Sequence, residues 1–409
     1  MKQTNWNTNS IKNTRQKYDL LLLFVVILTI ISLITNQTLI FLVVGFVAIY
    51  VWFIRIYDKH IGRKLILENQ KRSIRLFEDE EGHLEINLYN HSILPFHNTD
   101  VSFTTNHKIS SDEFVRFTRS RLNHYHLPMV LHGKSAAHLS IPIQAMKRGV
   151  TMVDRIQLTF PHLLNFEQHE MKYAGQYQTE ILVYPRLIPV AGIEEFPYNS
   201  FGNQVTPYSP FEDLLSPVGT RDYVHSDPFH RIHWKASAKN QTLQTKVYER
   251  NQNISWTIIV NIAEISPLGN VYMSDKIEKF LSQAAFICQT ITKQGYPVEI
   301  YINASRIGNV PFFLKEDSGT EHLKKILELL ARIEDDNNVI PIDTVIHRID
   351  QSAIGSNMFI LIGAIDTYSS SVVQKWNKRG NHIYQVNDSE NGAYLSTWSM
   401  ERFFAYEAE

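Results

Sequence analysis

Only one cysteine, Cys288, occurs in 409 residues. That excludes an internal disulfide framework and any multi-cysteine zinc or iron–sulfur centre. Charge of either sign is not in excess: 40 Lys and Arg stand against 41 Asp and Glu, a formal net charge of −1. A chain without a global basic field lacks the electrostatic footprint of a nucleic-acid binder. No Gly-x-x-x-x-Gly-Lys-[Ser/Thr] loop is present to cradle phosphates. The sequence calls for no cofactor. What it does have is 44% hydrophobic and 11% aromatic residues, enough for packed cores, so wholesale disorder is excluded. The length suits two or three domains, and a mean hydropathy of −0.19 makes most of the chain soluble.

Two apolar runs lie near the start. Leu20 to Ile34 is interrupted only by Thr29 and Ser32; Leu39 to Ile54 is apolar throughout, with Gly45 inside. A span needs about 20 apolar residues. Each run reaches that only with its edges, and Thr35-Asn36-Gln37-Thr38 between them reads as a tight polar turn. The pattern predicts a two-helix transmembrane hairpin at residues 19–56, after a cytoplasmic tail at 1–18. Lys2, Lys12, Arg15 and Lys17 precede it, and Arg55, Lys59, Arg63 and Lys64 follow. By the positive-inside rule both flanks face the cytoplasm, giving a two-pass protein of the cell membrane with both termini and the bulk of the chain cytoplasmic. Trp52, Tyr50 and Tyr57 suit the interfacial belt.

Beyond a linker at 57–73, residues 74–185 read as a β-rich, sandwich-like domain. Leu84, Ile86 and Leu88 alternate with Glu85, Asn87 and Tyr89, a period of two. Leu139–Ile143, Arg155–Phe160 and Thr179–Tyr184 behave alike, and Asp112 to Leu122 reads as one short turn of helix. Histidines are frequent here. His124-Tyr125-His126 puts two imidazoles on one side of a strand, as a metal site requires, but no third ligand stands at useful local spacing.

Residues 254–409 read as an α/β domain. Trp256 to Ile262 has the continuous β-branched character of a parallel strand buried on both faces. Asp275–Thr292, Glu321–Ile333 and Ser370–Lys378 keep helical spacing between strands at Val298–Ile302, Met358–Ala364 and His382–Val386. Such alternation implies a parallel sheet covered on both faces. Cys288 falls on an apolar helical stripe and reads as a core thiol. A von Willebrand A-type domain carries Asp-x-Ser-x-Ser after its first strand; the aligned positions here are Asn261, Ala263 and Ile265, so the hard-cation ligands are missing. Glu264 and Asp366 are the nearby carboxylates able to substitute.

The connector at 186–253 holds the densest polar segment. Asp227-Pro228 can open a short helix, with Asp as cap and Pro at the first position, and Ile232, Trp234 and Ala238 then packed. Three chemistries fit. Arg231, His233 and Lys235 can bind an anion. His225, Asp227, His230 and His233 can ligate a metal, though the spacing matches no common pattern. Ser237 beside Lys or His can be a nucleophile, though no Gly-x-Ser-x-Gly elbow surrounds it. Against these stands a buried ion-pair network of Arg221 or Arg231 with Asp227 or Glu249, leaving the exposed remainder to dock a partner.

The same segment resembles the signature of the domain of unknown function 58 family, bacterial membrane proteins related to von Willebrand A domains. That pattern is Arg-x-Tyr, then Gly-Asp-x-x-Arg-x-Ile-His-Trp-Lys-x-Ser-Ala, then Leu-x-x-Lys-x-x-Glu. This chain has Arg221, Tyr223, Asp227, Arg231, Ile232, His233, Trp234, Lys235, Ser237, Ala238, Leu243, Lys246 and Glu249. It departs at Ser226, which replaces Gly, and by a residue shift around His230. Arg148-Gly149 and Val183-Tyr184-Pro185-Arg186 resemble the family's approach to the signature, and its Asp-Pro-Phe-Gly-Leu motif survives only as Phe160-Pro161-His162-Leu163-Leu164.

The resemblance implies a membrane-anchored multidomain chain: transmembrane hairpin, β-sandwich-like domain, then a von Willebrand A-like (Rossmann-like) α/β domain. It also implies a MoxR-type AAA ATPase as partner. The expected function is a non-catalytic membrane-anchored scaffold or adaptor in the assembly or maturation of envelope or other complexes, with the lipid bilayer as its other partner. The alternatives are a hydrolase using Arg221–Glu249 and a metal-dependent adhesion module. The oligomeric state stays open.

Overall fold

A computed structural model describes residues 6–8, 11–35, 38–163, 167–194, 204–205, 212–252, 255–306, 308, 310–352, 358–390 and 392–399. The expected turn residues Asn36 and Gln37 lie outside this set, as do Pro207 and Pro210. The chain divides into two compact units, Met1–Arg186 and Leu187–Glu409.

The first unit begins with a short strand, β1 (Trp6–Thr8), and two helices, α1 (Ile11–Thr35) and α2 (Thr38–His60). They run side by side, and Arg55 Nη2 of α2 donates to Asp19 Oδ1 of α1 at 2.8 Å. Among the described residues, one helix, Phe41–His60, is long and apolar enough to cross a membrane. The apolar stretch Asp19–Ile34 of α1 belongs to the shorter, 10–17-residue class. The expected pair of spans is therefore corrected to one candidate helix. Its Phe46 and Trp52 are exposed.

The rest of this unit is sheet, antiparallel except where Glu180–Tyr184 pairs parallel with Ser73–Phe77. One six-stranded sheet contains β1, β2 (Phe96–Asn106), β3 (Leu122–Leu131), β4 (Asp154–Pro161) and β5 (Gln168–Tyr173), with Val115–Arg119 at its edge. A four-stranded sheet is built around Glu81–Asn90 and Ser135–Ala145. The period-two residues Leu84, Ile86 and Leu88 of the second sheet share one core with Val101, Phe103, Tyr125, Leu158 and Phe160 of the first. Tyr57 and Ile61, at the end of α2, enter that same core. The short helix expected at Asp112–Leu122 is instead the strand Val115–Arg119, hairpinned onto β3. The two turn residues, Ser120 (φ 52°) and Arg121 (φ 62°), both adopt the left-handed conformation of a type I′ turn, which closes a hairpin and cannot continue a helix.

In the second unit, β6 (Trp256–Val260), β7 (Val298–Ile302), β8 (Met358–Ile362) and β9 (His382–Ser389) are parallel neighbours. Ile277–Lys293, Thr320–Ala331, Ile342–Ser352 and Thr367–Lys378 are helical. The sheet is nevertheless mixed. Phe312–Asp317 pairs antiparallel with β7, and Gly392–Thr397 antiparallel with β9. Both are reached through connections too short for the crossover a parallel partner needs. Of the described residues 42% are strand and 29% helix, and the strands form several separate sheets. The expected hairpin-plus-Rossmann-like, von Willebrand A-like architecture is therefore corrected: the described residues are mostly β, with one candidate span and no clear Rossmann-like domain among them. Cys288 is buried within Ile277–Lys293, and burial pushes its thiol well above the usual range.

Candidate functional site

The signature segment occupies an antiparallel ribbon, Glu212–Asp222 against Gln244–Gln252, and the irregular stretch between them. Arg221 makes a two-pronged pair with Asp227, Nη1 to Oδ2 at 2.7 Å and Nη2 to Oδ1 at 2.6 Å. Asp227 Oδ2 also accepts from the Val224 N–H at 3.1 Å and the Thr245 hydroxyl at 3.0 Å. These bonds, led by that from Arg221, hold the Asp227 carboxyl down at about 2. The Arg221 side chain keeps 48% of its exposure, so the pair is a surface clasp and not the buried network expected.

Asp227 is spent on this clasp and does not cap a helix. Phe229–Arg231 forms a single 3-10 turn whose cap, Pro228, offers no side-chain bond. The next helix, Trp234–Asn240, is capped by His233, whose Nδ1 accepts from the Ala236 N–H at 3.1 Å. The Ser237 hydroxyl donates to the His233 carbonyl at 3.1 Å and accepts from the Gln244 N–H at 2.8 Å. A hydroxyl held by two backbone groups on either side is a structural bolt, which removes the geometry a nucleophile requires. Tyr223 stands 6.1 Å from Phe229, ring centre to ring centre, and the Arg231 guanidinium lies 5.7 Å from the Tyr248 ring centre. Lys246 pairs with Thr220 in the ribbon and Glu249 with Asp213; the Glu249 side chain lies outside the described residues.

Ile232 alone among the three expected packing residues is buried. Ala238 is exposed. Trp234 is 67% exposed and Phe229 74% exposed, with Lys235 and Lys239 exposed beside them. Asp227, His233 and Ser237 are taken up by backbone partners, while Phe229 and Trp234 face solvent.

At the end of β6, Asn261 occupies the position where a hard-cation carboxylate was sought. Its Nδ2 donates to the Ala364 carbonyl at 2.5 Å, and its Oδ1 accepts from the Ala263 N–H at 3.0 Å and from Asn303 Nδ2 at 2.5 Å. Asn303 completes the link by accepting from the Ile262 N–H at 2.7 Å and donating to the Ile340 carbonyl at 2.9 Å. Two neutral amides thus join three strand ends. Ala263 is buried and Ile265 exposed. Glu264 is held by Ser274 and Tyr272, and its carboxyl is lowered chiefly by the Ser274 bond. Asp366 caps the helix Thr367–Lys378.

The His124 and His126 side chains do share a face of β3, since Tyr125 between them is fully buried, and His124 stacks on Phe117 at 4.3 Å. Among the described residues the three-ligand cluster lies elsewhere: Asp58, His162 and His169, with their donor atoms all within 4.8 Å of one another. The sequence reading missed it. Asp58 and His162 are 104 residues apart and meet only because the end of α2 enters the core. Both imidazoles are buried, and among the described residues neither ring nitrogen of His169 has a hydrogen-bond partner. An orphaned buried polar group of this kind costs about 1–3 kcal/mol. Burial, more than the neighbouring His162, lowers the His169 pKa and favours the neutral ring.

No family model matches the chain, and no curated protein is similar to it. The family resemblance accordingly rests on the signature residues alone. Among solved structures, similarity extends to a putative membrane anchored protein from Corynebacterium diphtheriae (13% identity, 30% of this chain and 32% of that one, TM-score 0.20). It extends also to a β-glucosidase from Listeria innocua (11% identity, 29% and 16%, TM-score 0.17). A third is the α-2-macroglobulin of E. coli (16% identity, 39% and 8%, TM-score 0.19). The chain spans between 8% and 32% of the length of these proteins. At these TM-scores the likenesses carry no argument about fold or function.

Proposed function

We propose that this protein is a non-catalytic, membrane-anchored scaffold or adaptor. Its signature segment docks a partner, a MoxR-type AAA ATPase, in the assembly or maturation of envelope or other complexes. The observation that supports this reading is the inverted polarity of the segment. Asp227, His233 and Ser237 are consumed by backbone groups, whereas Phe229 and Trp234 are left to solvent. Exposed large rings rimmed by lysines are the composition of an interaction patch, with aromatic anchors at its centre. A catalytic reading needs free polar groups converging on one point, and the hydroxyl and imidazole available here are already engaged.

The helix Phe41–His60 is the anchor in this reading. In the same reading the globular units are cytoplasmic, which the basic residues Arg55, Lys59, Arg63 and Lys64 at its end support. Crosslinking in native membranes, followed by affinity purification and mass spectrometry, tests the partner. Recovery of a MoxR-type ATPase with the wild type, and its loss with Trp234→Ala in a chain that still folds, is the expected result. Absence of any ATPase, or recovery unchanged by the substitution, overturns the reading.

A further inference from the structure

The cluster at the foot of α2 has the composition and closeness of a metal centre. In the ladder between β4 and β5, Phe160 stands opposite His169. His162 lies two residues beyond Phe160 and so returns to the same, inward face of the sheet. Both histidines are excluded from water, at 0% and 1% exposure. Their ring centres are 4.9 Å apart. Tyr57, one residue before Asp58, packs its ring edge against His162 at 4.5 Å. That contact fixes the last turn of α2 so that Asp58 Oδ1 reaches His162 Nε2 at 3.1 Å.

A tetrahedral ion at about 2.0–2.1 Å from each donor holds those donors roughly 3.3 Å apart. One pair here is already at 3.1 Å, and the whole set lies within 4.8 Å. Two imidazoles and one carboxylate form a donor set that suits zinc and its neighbours in the first transition row. The second, independent observation is His169 itself: a fully buried ring with both nitrogens lacking a hydrogen-bond partner.

We propose that Asp58, His162 and His169 bind one divalent transition ion of the zinc class, which ties the end of the membrane-anchoring helix to the β core. The ion takes three protein donors and leaves a fourth position for water. It is bound through Asp58 Oδ, a nitrogen of His162 and a nitrogen of His169, with no covalent or redox step. This site lies in the first unit and does not depend on the adaptor reading.

The test uses the full chain in detergent, without a polyhistidine tag, stripped with chelator and titrated with zinc and with cobalt(II). The wild type is expected to retain about one equivalent of zinc after gel filtration. With cobalt it is expected to show the visible d–d bands of a low-symmetry centre, and its Tm is expected to rise with zinc concentration through ligand linkage. Asp58→Asn and His169→Gln keep side-chain volume and should weaken zinc by more than the roughly 10–100-fold that loss of an outer-shell partner costs. His126→Gln, on the face of β3 opposite the buried Tyr125, should leave the affinity unchanged. Failure of the wild type to retain zinc or to develop the cobalt bands overturns the proposal. So does binding in both site variants equal to the wild type. If His169→Gln does not fold, the wild-type spectrum and Asp58→Asn still decide.

Discussion

Removing one buried amide should separate the contribution of the strand-end link from that of the surrounding sheet. Asn303 has no exposure, so no water replaces its bonds without a cavity opening around it. In Asn303→Ala the Ile262 N–H and the Ile340 carbonyl lose the amide at 2.7 and 2.9 Å, while Asn261 Oδ1 keeps the Ala263 N–H. Each buried group left unpaired costs about 1–3 kcal/mol, so the two together come to roughly 2–6 kcal/mol. That is a large share of the ~5–15 kcal/mol that holds a typical domain. The assay is urea unfolding of the full chain in detergent, read by the fluorescence of Trp256 and Trp376, each 1% exposed in this unit. A loss below about 1 kcal/mol would refute the reasoning, because it would mean that the amides do not carry the strand ends. Asn303→Asp adds a second arm. It keeps an acceptor for Ile262 but sets a carboxylate against the Ile340 carbonyl. A buried acid in that position titrates above its unfolded value, so this variant should lose stability as pH rises and recover on acidification.

Three further outcomes follow from the same geometry. The Asp227 carboxyl is depressed from 3.8 to about 2, so its clasp with Arg221 contributes in full above the unfolded value. That contribution is lost as pH falls from about 4 toward 2; proton chemical shifts of Thr245 and Val224 across that window would show it, and invariance would count against the clasp. Cys288, buried with a thiol pushed upward, should resist maleimide in the folded chain and react once denaturant is added; rapid native labelling would contradict its place in the core. Ser120→Asn with Arg121→Gly puts residues suited to the left-handed region at φ 52° and 62° and should raise Tm, by an amount equivalent to about 1 kcal/mol; a fall in Tm would refute the turn assignment.

What was legible in the sequence was local and periodic. The alternation of Leu84, Ile86 and Leu88 marks a strand, and all three are fully buried in Glu81–Asn90. The stripe through Leu281, Ala285 and Cys288 marks a helix and buries each of them. What failed was either non-local or lacked its usual residue marker. The type I′ turn at Ser120-Arg121 contains neither Asn nor Gly, so an apolar run beside it read as helix. Phe312–Asp317 and Gly392–Thr397 lack the continuous apolar character of the central strands, and the mixed sheet went unread with them. The first apolar run looks long enough only when its polar edges are added, and among the described residues Asp19–Ile34 stays in the shorter class. Asp58, His162 and His169 carry no local spacing rule that could have joined them.

The signature segment shows why a dense run of polar residues is a poor guide to chemistry. A stretch with no core of its own must satisfy its backbone by other means, and short polar side chains do so. Asp227 takes the Val224 N–H, His233 takes that of Ala236 and Ser237 takes that of Gln244. Each of these residues also suits catalysis when read from sequence, and each is engaged by a backbone N–H here. Once those groups are subtracted, Phe229 and Trp234 are the largest apolar side chains left facing water, with exposed lysines beside them. Burying even half of such a ring is favourable at roughly 25 cal/mol per Å². The part of the segment with free energy still to gain is thus its apolar part, and that gain requires a second surface to cover it.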